Sequence, residues 1–129
     1  MIVATGNNNT YVTKISNHMD EIYSDTTESK GGSGKYFRPH DLIEAGFASC
    51  LNITTRMVLN SMGLAYETIM VHVELDRSDP SKSIFKYQID IEGQLDEESK
   101  RAVLNKVMNC PVRKTLSKQL EFIDDINIR

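Results

Sequence analysis

The chain opens with short runs of β-branched and aromatic residues, MIVATG, TYVTKIS and DEIYSDT, separated by polar turn formers at NNN and NHM. This mix and spacing predict strands joined as a meander or hairpin. From Glu28 to Lys35 the stretch ESKGGSGK is polar and glycine-rich, which predicts a loop. At Pro39 the period changes from two to about 3.6. Pro39 suits the first helical position, Asp41 places a carboxylate in the first turn, and Gly63 supplies a stop. Between them Leu42, Ile43, Ala45, Phe47, Ala48, Leu51, Ile53, Met57, Val58 and Met62 cover more than one face. A long central helix, buried on most of its circumference, is the expectation.

Alternation resumes in YETIMVHVELDR and SIFKYQIDIEG, with a turn at SDPSK, and predicts a hairpin with one wet face. Asp96 then caps EESKRAVLNKVMN, a helix with Ala102, Val103, Val107 and Met108 inward. A short helix from Pro111 carries Val112 and Leu116, with Leu120 as a further contact, and EFIDDINIR alternates well enough for a closing strand. The order β-β-β, long helix, β-β, helix, helix, β is that of an α+β fold of antiparallel sheets, taken as one domain over residues 1–129.

Composition agrees with that size of fold: 129 residues, 40% apolar and 26% charged, suit one soluble domain with a single core. A net charge of −3 and a pI near 5.6, with no basic stripe, argue against a nucleic-acid partner. The longest nearly uncharged stretch, LIEAGFASCLNITT, is too short for a membrane span and is interrupted by Glu44 and Asn52. Met1 to Ala4 lacks the basic leader and long apolar run of a signal peptide, so the expected setting is the reducing cytoplasm. There two cysteines are more often free, redox-active or metal-binding than a permanent crosslink.

Those cysteines are the candidate chemistry. Cys50, in GFASCLNITTRM, is flanked by the small residues Ala45, Gly46, Ala48 and Ser49, which leave room beside its sulfur. Packing inside an apolar helix explains the same pattern, since cysteine is among the most buried residue types. Cys110, in CPVRKTL, takes the cap position before Pro111, where unpaired amides and the helix dipole favour a thiolate, and Arg113 and Lys114 add positive charge. A half-buried cap with no chemistry is the competing reading. Together the pair allows thiol peroxidase chemistry, in which one thiolate becomes a sulfenic acid and the other resolves it to a disulfide. His18, His40 and His72 lack the spacing that would complete a metal site with the cysteines, and GGSG lacks the setting of a phosphate loop. No metal and no cofactor are expected.

The segments RPHDLIEAGFASCLNITTRMVLNSMGL and NCPVRKTL, with the hairpin and helix between them, resemble the OsmC/Ohr family of peroxide-detoxifying proteins. The resemblance covers roughly residues 20–125. It implies antiparallel sheets around a long central helix in an intertwined homodimer. It further implies an organic hydroperoxide as substrate, Cys50 as the peroxidatic and Cys110 as the resolving thiol, no cofactor, and recycling by an unidentified external dithiol. Cys50 lies about three turns inside its helix, beyond the reach of the dipole, so another group must stabilise its thiolate. In well-studied branches of the family an N-terminal arginine does so, held by a glutamate just after the helix-starting proline. Here His40 occupies the glutamate position, Asp41 follows it, and no arginine precedes Arg38. The chain thus resembles the OsmC-like branch that lacks the pair, in which TTRM after the cysteine is typical. Arg38, His40 and Arg56 are the candidate thiolate-stabilising residues. Arg56 is about 9 Å further along the helix from Cys50 and off its face, so a contact would need the dimer partner. A non-catalytic dimer on the same scaffold, binding a small ligand or associated with stress, is the alternative.

Overall fold

Three short strands open the chain, as the β-branched runs between turn formers predict: β1 (Val3–Thr5), β2 (Thr13–Ser16) and β3 (Glu21–Ser24). They pair antiparallel in the order β1-β2-β3, with Val3 opposite Ser16 and Thr13 opposite Ser24. The computed structural model describes residues 1–124. In the glycine-rich loop that follows, Glu28–Lys30 form one 3₁₀ turn. The loop is closed by Asp25, whose buried carboxylate accepts from the Thr26 amide at 2.7 Å, the Ser33 amide at 2.8 Å and the Ser33 hydroxyl at 2.6 Å. These donors, the Ser33 hydroxyl first, hold the Asp25 carboxyl below its ordinary pKa. Gly32 is required by the same closure, because a Cβ there would collide with the Thr26 carbonyl.

Helix α1 runs Pro39–Ser61. At its start the Asp41 carboxylate accepts the Arg38 amide at 2.9 Å, the reciprocal half of a capping box, and also pairs with the Arg38 guanidinium at 3.2 Å. At its end Gly63 adopts φ +67°, and the amides of Gly63 and Leu64 return to the carbonyls of Asn60 and Leu59 at 3.1 and 3.0 Å. This pairing is a Schellman motif, which satisfies carbonyls left open at the helix end. The burial of α1 differs from expectation. Phe47, Leu51, Thr55 and Leu59, four residues apart, form one buried stripe, whereas Ile43, Ile53 and Met57 are exposed. Full burial in α1 is thus confined to one stripe among the described residues. Thr55 is tolerated in the stripe because its hydroxyl donates to the Leu51 carbonyl at 2.7 Å.

The hairpin strands β4 (Thr68–Asp76) and β5 (Ile84–Glu92) form a second, two-stranded sheet. Asp96 caps α2 (Glu97–Val107) by accepting the Ser99 amide at 2.7 Å. Val103 and Val107 of α2 are buried as predicted, but Met108 is exposed: as the C-cap it still turns helically, its amide on the Leu104 carbonyl, which carries it about 100° round from Val107 and off the inner face. α3 (Pro111–Leu116) is likewise too short to bring Leu120 inward, and Leu120 is exposed. Of the closing strand expected in EFIDDINIR, Glu121 to Asp124 have no regular structure and the remainder lies outside the described residues.

By internal contacts the chain divides into two units, Met1–Gly46 with Glu74–Phe85, and Phe47–Val73 with the chain from Lys86 onward. Among the described residues no helix is long and apolar enough to cross a membrane.

Candidate thiol site

Both cysteines belong to the second unit. Cys50 lies on α1 one turn after the buried Phe47, is half-buried, and has its sulfur 3.9 Å from the Thr54 hydroxyl. Cys110 is the residue between α2 and α3. Its amide donates to the Val107 carbonyl at 3.1 Å, and its carbonyl accepts the Lys114 amide at 3.1 Å to begin α3. Pro111 follows at the first helical position and Cys110 itself is extended, φ −60° and ψ 153°, as a cap residue should be. Both thiols are free.

Cys50 stands near enough to Cys110 to act on its ionisation. Burial, which leaves Cys110 1% exposed, pushes its thiol above the ordinary pKa, and Cys50 pushes in the same direction. The amides of Arg113 and Val112 oppose both without closing a side-chain cap hydrogen bond. The helix start therefore acts as the sequence suggests, but desolvation wins, and Cys110 is a protected thiol rather than an acidic one.

Arg113, in the first turn of α3, is anchored. Its guanidinium donates to the Tyr87 hydroxyl of β5 at 2.8 Å and stands 5.9 Å from the centre of the Tyr87 ring. That ring meets Phe47 edge-on, with centroids 5.5 Å apart and planes at 76°. α1, β5 and α3 thus each contribute to the surroundings of the thiols. Neither Tyr87 nor the aromatic contact of Phe47 stands out in the sequence. Phe47 reads only as one of several apolar positions of the long helix, and the cations after Cys110 are the sole hint that a partner is needed.

The three candidate stabilising groups have other engagements or settings. Arg56 is exposed and donates from Nε to the Asn52 side-chain oxygen at 2.9 Å, while the Asn52 amide donates to the Ile69 carbonyl at 3.1 Å. Arg38, in the first unit, has its guanidinium on Asp41, which raises its pKa and lowers that of Asp41. His40 is exposed at the start of α1. Arg38 and His40 line a cleft of about 560 Å³ in the first unit, together with Lys30, Arg77, Asp25, Asp41 and Glu44. Its cations and carboxylates balance, so the lining selects neither sign of ligand. Among the described residues no three His, Cys, Asp or Glu side chains cluster as a metal site would.

Comparison with known proteins gives this geometry a context. The family model of OsmC-like proteins matches residues 32–123. No curated protein matches the sequence. Among solved structures, an OsmC like protein from Mycoplasma pneumoniae is similar with a TM-score of 0.76 at 18% identity, over 90% of this chain and 85% of that one. An organic hydroperoxide resistance protein from Elizabethkingia anophelis gives 0.66 at 18% identity, over 90% and 86%. The organic hydroperoxide resistance protein OhrB of Bacillus subtilis gives 0.59 at 19% identity, over 91% and 89%. At these identities the likeness is one of fold.

Proposed function

This chain belongs to the OsmC-like protein family, and from that membership we propose that it is a thiol-dependent hydroperoxide reductase with Cys50 as peroxidatic and Cys110 as resolving thiol. The observation that supports the reading is that two free thiols from distant parts of the chain stand near enough for Cys50 to act on the ionisation of Cys110. Their unequal burial supports the division of roles, because only Cys50 has access to a substrate from solvent. Organic hydroperoxides are the proposed substrates, supported by the names of the similar structures and by the apolar stretch of α1 around Cys50, in which Phe47 and Leu51 are buried.

In the first step the Cys50 thiolate attacks the outer oxygen of the hydroperoxide. The O–O bond breaks, the alkoxide leaves and takes a proton to become the alcohol, and Cys50 becomes a sulfenic acid. In the second step the Cys110 thiolate attacks the Cys50 sulfur. An S–S bond forms, the S–O bond breaks, and hydroxide leaves to become water with the proton that Cys110 released. Two thiols lose two electrons and the peroxide gains them; an external dithiol returns the pair to the reduced state. The proposal includes a homodimer and the reducing cytoplasm, where both thiols stay free between turnovers.

One equivalent of cumene hydroperoxide should abolish both free thiols and create an intramolecular Cys50–Cys110 disulfide by mass spectrometry. Cys110→Ser should stop at sulfenic acid and overoxidise, and Cys50→Ser should consume no peroxide. Two free thiols remaining in the oxidised wild type would overturn the reading. That result would favour the alternative, a ligand-binding or stress-associated dimer without turnover, for which the engagement of Arg38 by Asp41 and the presence of His40 in place of a glutamate speak.

A further inference from the structure

We propose that Tyr87 and Arg113 form a tether that positions Cys110 for bond formation with Cys50. The inference rests on the thiol reading above for its role in turnover, but the tether itself is a property of the pair of sulfurs.

α3 has six residues, too few to hold a helical conformation by its own hydrogen bonds. Its start must nevertheless be fixed, because a disulfide forms only when the two Cα atoms come within about 7 Å with their Cβ atoms directed at each other. Pro111 fixes one backbone angle and the Cys110 amide ties back to Val107, but neither sets the rotation of α3 about its own axis. Arg113 does. Its backbone amide faces the Cys110 sulfur while its side chain reaches to β5 and donates to the Tyr87 hydroxyl at 2.8 Å. Tyr87 is in turn held against Phe47, three residues before Cys50 on α1. The chain of contacts Phe47, Tyr87, Arg113, Cys110 therefore closes on the helix that carries Cys50. A planar guanidinium that both donates to the hydroxyl and lies near the ring is oriented in a way that an ammonium on a flexible stem is not. Tyr87 and Arg113 are positioning residues: they act through the placement of Cys110.

In turnover the tether serves the second step alone, in which Cys110 displaces hydroxide from the Cys50 sulfur. Its loss should leave the first oxidation of Cys50 unchanged and lengthen the life of the sulfenic acid, so that more of it proceeds to sulfinic acid.

The test compares wild type with Tyr87→Phe, which keeps the ring against Phe47 and removes only the hydroxyl, and with Arg113→Ala and Arg113→Lys. The first readout is the equilibrium between dithiol and disulfide forms in mixtures of reduced and oxidised dithiothreitol, which needs no peroxide. A lost hydrogen bond to a charged group predicts about tenfold weaker disulfide formation in Tyr87→Phe and Arg113→Ala. The double variant should be no worse than Arg113→Ala, since both remove one interaction, and Arg113→Lys should rescue only in part. The second readout, with cumene hydroperoxide, is the rate of Cys50 oxidation against the rate of disulfide formation; only the latter should fall. Thermal unfolding of Tyr87→Phe within a degree or two of wild type separates positioning from general destabilisation. Disulfide equilibria equal to wild type in both single variants would overturn the tether. A wild type that forms the disulfide in dithiothreitol but not with hydroperoxide would overturn the peroxidase reading and leave the tether standing.

Discussion

Cys110 is buried beside a more accessible thiol: it is 1% exposed, whereas Cys50, which acts on its ionisation, is half-buried. A reagent that arrives from solution meets Cys50 first, and whatever happens at Cys50 is the chief route by which oxidation reaches Cys110. In the reduced protein a small alkylating agent such as iodoacetamide should therefore label Cys50 at least about tenfold faster than Cys110, since reactivity requires both thiolate and access. Peptide mass spectrometry over time reads the order, and equal rates would show that Cys110 is not protected.

Burial also makes the thiol a source of pH-dependent stability. The Cys110 pKa is raised by desolvation first and by Cys50 second, so the native state holds this proton more tightly than the unfolded chain does. The stabilisation is fully present below the ordinary thiol pKa of about 8.5 and is lost as pH rises through the higher native value. Denaturant unfolding under a phosphine reductant should show stability falling from about pH 8.5 upward more steeply in wild type than in Cys110→Ala. Identical slopes would mean that the thiol is not desolvated in the native state.

Much of the fold is legible in the sequence because its signals are local. Pro39 and Gly63 bound α1 through backbone geometry that those residues adopt readily, and Asp96 accepts the amide its position predicts. The errors come where apolar character is equated with burial. Met108 is apolar but turned off the inner face of α2 and Leu120 lies past the end of α3, while Leu59, fully buried, stands out from its apolar neighbours only once the direction of the inner face is known. The thiol site divides the same way. Each cysteine is recognisable from its neighbours, and the resemblance pairs them, but the raised pKa of Cys110 depends on burial by residues far along the chain. Tyr87 could not be read at all, because its partner Arg113 comes from a different element.

The loop after β3 depends on one glycine and one carboxylate. Gly32→Ala forces a Cβ onto the Thr26 carbonyl and should cost more than about 1 kcal/mol, lowering the melting temperature by at least about 3 °C. Ser33→Ala removes the largest contribution to the lowered Asp25 pKa, so the Asp25 titration followed by NMR should move up toward the ordinary carboxylate value. In wild type this carboxylate stabilises the fold above that ordinary value and ceases to do so as pH falls through its lower native one. A melting temperature unchanged in Gly32→Ala would show that the loop can open without cost.

The two faces of α1 make opposite predictions about substitution. Leu59, fully buried in its own chain, should cost about 2–5 kcal/mol when replaced by alanine, whatever the state of association. Ile53 and Met57, 43% and 65% exposed, lie three and seven residues beyond Cys50 and so share its side of the helix. If the chain is a homodimer built on this side, the partner covers apolar surface that is otherwise open and reaches the margin of the thiol site. Met57→Lys would then place a charge in that interface, where leaving it unpaired is strongly unfavourable. Sedimentation velocity at micromolar concentration should show a dimer for wild type and for Leu59→Ala that remains folded, and a monomer for Met57→Lys. Alkylation of Cys50 should be faster in the Met57→Lys monomer because the covering chain is gone. A wild type that sediments as a folded monomer would remove the dimer from the proposal, and a Met57→Lys protein that remains dimeric would put the interface on another surface.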